Sequence, residues 1–238
     1  MVGYFDDEQL GRVVVYTRRG QRRAIVRWDG DHLKMTVPAD LTLSEIKRIL
    51  NDMRDGIARL KRRTVTFSIG QVLPCSGCEV SIGMWPEHTT RFHYRVVDST
   101  HAEVLVPSGI DMDRESVKTT ISACLQSLMD HLAVVHLLPY AVNVAHSLGL
   151  DLPLSRLSVG RGVRKLGHCT REGGNIQLSR NVMFLPEHLV RYVICHELAH
   201  LQHHDHSPAF HALVDRYTGG QEAQLEAQLK CFEWPITQ

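Results

Sequence analysis

Apolar and polar residues alternate through the N-terminal part of the chain and then change to helical spacing. RVVVYT (12–17) and AIVRW (24–28) are rich in β-branched and aromatic residues, which predicts strands. HLKMTVP (32–38) puts Leu33, Met35 and Val37 on one face, and Asp29-Gly30 just before it is a hairpin turn signal. Thr42 with Glu45 predicts a capping box, after which Ile46, Ile49, Leu50, Met53, Ile57 and Leu60 form a helical stripe. Lys47, Arg48, Arg54, Arg59 and Lys61 ride the opposite side, and the basic run 61–63 reads as a solvated helix end. Strand-like runs return in TVTFSI (64–69), CEVSI (78–82), FHYRVV (92–97) and AEVLVP (102–107).

From about residue 113 a long amphipathic helix is expected, with Pro139 opening a second helix to about Leu148. LSRLSVG (154–160) and NIQLS (175–179) read as short strands. Helices are expected at 186–204, 207–217 and about 220–232, with Pro186 and Pro208 in first turns and Ser207 as a cap. No internal repeat is evident. The pattern is that of an α+β protein: a β-rich N-terminal region, 1–110, with one amphipathic helix at about 42–62, and a helical C-terminal region, 111–238.

Composition narrows the class. With 238 residues and 43% hydrophobic content the chain can bury a sizeable core. Lys plus Arg number 27 against 26 Asp plus Glu, so no general attraction to nucleic acid or membrane is expected. No apolar run is expected to span a bilayer, and MVGYFDDEQL lacks the layout of a secretion signal. Six scattered cysteines point to free thiols in a reducing cytoplasm.

The candidate chemistry lies in CHELAHLQHHDHSPAF, residues 195–210. On a helix, His196 and His200 project from one face a turn apart and can grip one ion, with Glu197 beside them as a carboxylate base. Tyr192, Val193, Ile194, Leu198, Ala199 and Leu201 surround them, and polar groups buried there without partners would cost about 2–7 kcal/mol. A third ligand is needed, and zinc in an enzyme leaves a fourth position open. A turn at 203–206 would bring His206 back, giving HExxH-x5-H; His203, His204, Asp205 and the downstream Glu222 and Glu226 are the rivals. CSGC (75–78) is a lone CxxC, which fits a tight turn better than a second metal site. Cys195 reads as a packed small apolar residue.

YVICHELAHLQHHDHSPAF, from Tyr192 to Phe210, resembles the YgjP-like metallopeptidase family, close to the SprT-like and WLM zinc proteases. That family has a Tyr-Val run entering HELxH, then an Asn/Asp-His-Ser segment and a Phe. VPADLTLSEI (37–46) and RKLGHCTREGGNIQLS (164–179) resemble further family segments. Leu166 and His168 stand where the family has Trp and Ser, and Ser179 or Asn181 where it has Asn. The resemblance implies a zincin-like core binding one zinc ion through His196, His200 and His206. Glu197 is then the base that activates the metal's water for peptide-bond hydrolysis.

A peptide or protein substrate is therefore expected, held in extended form along a strand near the metal helix, for which NIQLS is the first choice. His168 is a candidate contact to that substrate. The alternative is a non-catalytic, zinc-stabilised binding or scaffold module, which would need no Glu197 and no open coordination position.

Overall fold

The computed structural model describes residues 3–29, 32–59, 65–85, 89–162 and 165–236. Gly30 of the expected turn, Leu60, the basic run 61–63, Thr64 of TVTFSI and Arg164 lie outside them. The chain divides into two compact units, Met1–Thr64 and Val65–Gln238. The division thus falls well before residue 110, because the strands between 72 and 106 bury Leu73, Val80, Ile82, Val104 and Val106 in the same core as the C-terminal helices.

In the first unit, β1 (Gly3–Asp7), β2 (Gly11–Arg18), β3 (Ile25–Asp29) and β4 (His32–Pro38) form a sheet in the order β1-β2-β4-β3. β3 and β4 pair antiparallel with Asp29 opposite His32, as the turn signal predicts. α1 (Leu43–Asp52) starts at the expected capping box, with Thr42 Oγ1 accepting from the Glu45 N–H and Glu45 Oε2 accepting from the Thr42 N–H. The helix breaks at Met53 and resumes as α2 (Arg54–Arg59). Asn51, Asp52 and Gly56 weaken the helix there, and Asn51 Oδ1 accepts from Arg54 Nε instead. Leu33, Met35 and Val37 face a core with Val13, Val15, Ile46 and Leu50.

The second unit opens with a sheet of β5 (Val72–Cys75), β6 (Cys78–Met84), β7 (His93–Val96) and β8 (His101–Val106), in the order β5-β6-β8-β7. This repeats the first sheet: an antiparallel pair, a parallel crossover and a second antiparallel pair, with a Val-Pro pair ending β4 and following β8 before a helix. The chain therefore carries a repeat of topology that residue patterns alone do not display. Of TVTFSI, residues 65–69 form no strand; the chain there is irregular up to a turn at Gly70, with Phe67 buried.

α3 (Glu115–Leu132) runs through a π-helical turn, Ala133–Leu137, into α4 (Leu138–Ser147) without a break, Pro139 being accommodated in the first turn of α4. By length and composition alone this 33-residue run could cross a membrane, contrary to the expectation from sequence. Half of its most apolar window is buried in the protein, as in a core helix: Val117, Ile121, Leu125, Leu128 and Met129 are inaccessible or nearly so.

A small sheet follows, with β9 (Leu157–Gly160), β10 (Gly167–Cys169) and β11 (Ile176–Ser179) in the order β10-β11-β9. Leu154–Arg156 is a 3-10 turn and not part of the expected strand. Three helices complete the unit: α5 (Glu187–Ala199), α6 (Pro208–Tyr217) and α7 (Glu222–Cys231).

One ion pair in the first unit has a pH signature. Both Asp7 oxygens accept from the Arg54 guanidinium at 3.0 Å, and Oδ1 also accepts from the Gln9 and Leu10 N–H groups. Arg54 first, with those two N–H groups, holds the Asp7 carboxyl down at about 2. A carboxylate with a depressed folded pKa contributes stability that is complete above its unfolded pKa of about 3.9 and is lost as pH falls toward the folded value. Denaturation followed by Trp28 fluorescence, with Trp85 and Trp234 replaced by Phe, is therefore expected to show a midpoint that drops between about pH 4 and pH 2. Asp7→Asn should lower the midpoint at pH 7 and flatten that drop; an unchanged slope would remove Asp7 as its source.

Candidate metal centre

α5 owes its position to being apolar on nearly every side. Leu189, Val190, Val193, Ile194, Cys195, Leu198 and Ala199 are all at most 4% exposed. Each of the Leu, Val and Ile side chains contributes roughly 1.5–3 kcal/mol by leaving water, enough to hold polar groups on the same helix in place. Cys195 belongs to this packing, its thiol pushed up to about 11 by burial. Pro186 is the residue before the helix, so the first helical position is Glu187.

The helix ends earlier than its apolar pattern suggests. His200 is the C-cap, and the next turn tightens through Leu201 and Gln202 N–H bonds to the Leu198 and Ala199 carbonyls. The chain then reverses over 203–207. Asp205 is held below the ordinary carboxylate range by hydrogen bonding with Ser207, and Pro208 starts α6. Ser207 occupies the N-cap, but its side chain makes no capping bond.

The reversal returns His206 to the helix it left. His206 Nε2 lies 3.2 Å from His196 Nε2. One ring nitrogen from each of His196, His200 and His206 lies within 4.8 Å of the other two. Nitrogens bound to one tetrahedral zinc at 2.0–2.1 Å would be about 3.3 Å apart. A neutral, all-nitrogen donor set at this spacing fits zinc.

Phe210, fully buried, backs all three rings, stacked on His200 at 4.5 Å and edge-on to His196 and His206 at 4.8 Å. His200 Nδ1 lies 3.0 Å from the His203 carbonyl, a bond that would fix the proton on Nδ1 and turn Nε2 toward the cluster. Burial, then the neighbouring His200, His206 and His211, pulls the His196 pKa down to about 4. That ring is therefore neutral, the form a metal requires, throughout the physiological range.

Both acidic rivals on α7 for the third position are engaged elsewhere. Glu222 bonds His211 Nδ1 at 2.7 Å, and Glu226 pairs with Lys230 at 2.8 Å. His203 supplies its carbonyl, and the His204 side chain lines the cavity above the cluster.

Glu197 is 5% exposed, and its Oε2 has no hydrogen-bond partner among the described residues. Burial raises its pKa to about 7, with Lys165 acting weakly the other way. A dication at the histidines would draw that value back down. Glu197, His196, His200 and His206 open onto one cavity of about 430 Å³, whose far wall is Lys165, Gly167, His168 and Arg171.

The middle of that wall is β10, an element with too little alternation to read in advance. β10 forms the edge of its sheet, paired antiparallel with β11. β11, the NIQLS segment, lies between β10 and β9, so both its edges are taken and it offers none to a substrate. His168 is exposed on β10 and lines both the metal-side cavity and an adjoining one of about 450 Å³. Ser179 donates to the Gly162 carbonyl and accepts from the Asn181 N–H, which gives it a local structural task.

Gly167 explains how closely β10 approaches the helix. A β-carbon there would fall inside contact distance of Glu197 Oε1, Cδ and Cγ. Gly167→Ala is expected to destabilise the protein by about 1–3 kcal/mol in urea unfolding. Part of that cost should be recovered in Gly167→Ala/Glu197→Ala, where the opposing side chain is gone. Strict additivity of the two changes would show that the close approach carries no energy.

No curated protein matches the chain. Among solved structures, it is similar to the metallopeptidase zymogen abylysin of Pyrococcus abyssi. The identity is 27% and the TM-score 0.33, over 41% of this chain and 92% of that one. The profile of the YgjP-like metallopeptidase domain matches residues 22–230. That span takes in the HELAH helix, the returning His206 and most of both compact units, and the chain belongs to the YgjP-like metallopeptidase family.

Proposed function

We propose that the chain is a zinc-dependent peptidase in which His196, His200 and His206 hold one ion and Glu197 is the general base. The observation that carries this reading is Glu197, a buried carboxylate with one oxygen unpartnered among the described residues, lining the same cavity as the three imidazoles. A purely structural zinc site has no use for such a carboxylate, and leaving it buried costs stability. Zinc, when bound, supplies Lewis acidity, acidifying a water and offsetting negative charge on the scissile carbonyl oxygen.

The chain's own residues do the rest. Glu197 accepts the proton of the attacking water and returns it to the leaving amide nitrogen. An extended peptide pairs with the outer edge of β10, which brings its backbone along the cavity wall facing Glu197. His168 projects from that strand and can donate to the substrate, and the adjoining cavity can take a substrate side chain. An edge strand beside an HExxH helix is a zincin-like arrangement.

Glu197→Gln keeps the shape of the side chain and removes its basicity. It is expected to retain one equivalent of zinc by metal analysis and to lose at least ~10²-fold in hydrolysis of an unfolded protein such as casein. His206→Ala should lose both the metal and the activity. Equal turnover by Glu197→Gln and the parent protein would end the general-base assignment.

A further inference from the structure

CSGC occupies a position that the peptidase reading does not use. Cys75 ends β5 and Cys78 begins β6, directly opposite each other across the turn Ser76-Gly77. Leu73 and Val80, the next pair on that face, are both buried, so the two sulfurs lie on the core side of the sheet. The Cys75 thiol donates to the Leu73 carbonyl at 3.8 Å. Directly opposed residues of an antiparallel pair have Cα atoms about 4.5–5.5 Å apart, inside the 4.4–6.8 Å range that a disulfide spans. The turn is held in place: the Ser76 N–H donates to the Met183 carbonyl at 2.7 Å. At Gly77, φ is +80° and a β-carbon would meet the His136 ring at 3.1 Å.

Access is from one side. Cys75 lines a cavity of about 460 Å³ together with Leu73, Pro74, Phe184, Leu185 and Phe232, whereas Cys78 is buried behind it. A metal would need further donors, and the group of His, Cys, Asp and Glu found within mutual reach among the described residues is the histidine cluster, not this pair.

We propose that Cys75 and Cys78 form a thiol–disulfide exchange site, closing to an intrachain disulfide at the expense of a small-molecule disulfide admitted through this cavity. Cys75 attacks one sulfur of the incoming disulfide, forming a mixed disulfide and releasing one small thiol. Cys78 then attacks the Cys75 sulfur, and the second small thiol leaves. Two protein thiols are oxidised, one disulfide is reduced to two thiols, and the two protein thiol protons end on the products. The Cys78 neighbour and then burial push the Cys75 thiol up, while Cys78 is drawn down, so Cys75 attacks as its proton passes to the Cys78 thiolate. A cross-link over two intervening residues restricts the unfolded chain little, so the bond is a reversible one and not a structural staple.

The test equilibrates the full chain in reduced and oxidised glutathione, alkylates it in denaturant and reads intact and peptide masses. Oxidation is expected to remove two hydrogens and to lower the thiol count by two from the six present, with Cys75 and Cys78 the unalkylated pair. Folded protein should reach half-oxidation at a ratio of reduced to oxidised glutathione at least ~10-fold more reducing than urea-unfolded protein does, because the fold holds the thiols opposed. Cys78→Ser should trap one glutathione on Cys75, and Cys75→Ser should trap at least ~10-fold less on Cys78. The proposal fails if both thiols stay alkylatable while the exposed Cys231 takes the oxidation, or if folded and unfolded protein oxidise alike. It also fails if the pair is protected by a zinc equivalent that Cys75→Ser/Cys78→Ser loses.

Discussion

The candidate metal centre depends on one chain reversal. His196 and His200 come together simply by being a helical turn apart, but His206 reaches them only because α5 stops at His200 and the chain doubles back before Pro208. Continued to residue 206, the helix would have carried the third imidazole about 15 Å along its axis from the first. The reversal instead leaves two ring nitrogens 3.2 Å apart. Phe210, the first fully buried residue after the turn, locks this return, because its ring can enter the core only while it lies against all three imidazoles. The core thus orients the cluster from behind, and ligand geometry is tied to apolar packing.

A second constraint gives the cluster its cleft. Glu197 and Gly167 meet at a distance that admits no side chain at position 167, and this close seating turns a short edge strand into the wall opposite the histidines. β11 pays no part in that wall except by fixing β10 through its ladder and by joining it to β9. Strand order, and not the apolar character of any one strand, decides which backbone edge stays open beside the metal helix. The same burial that seats Glu197 raises its pKa, so closeness of packing and the upward shift of that carboxyl have one cause.

What was legible in the residues was what is local. The capping box of Thr42 and Glu45, the β3–β4 hairpin, and the shared face of His196 and His200 follow from spacing within a turn or two. So does the break before Pro208, which Asp205 and Ser207 announce. The illegible features depend on partners far along the chain. β10 is three residues whose strand character comes only from β11, and NIQLS looks like an available strand until both its neighbours are counted. TVTFSI has strand composition, but its residues 65–69 join no ladder among the described residues. The helical run 115–147 illustrates the same limit in reverse, since length and composition cannot tell a membrane span from a core helix, whereas its buried face can.

The repeated sheet shows how one topology is put to two uses. In both copies a parallel crossover pair is flanked by antiparallel strands and followed by a helix. α1 buries Ile46 and Leu50 and closes a small core of its own. α3 buries Val117, Ile121, Leu125, Leu128, Met129 and Leu132 and continues through a π turn into α4, so its core runs on without a seam to α5. The number of apolar positions on the helix, and not the order of the strands, determines whether the sheet stands alone or becomes one wall of the unit that houses the histidines.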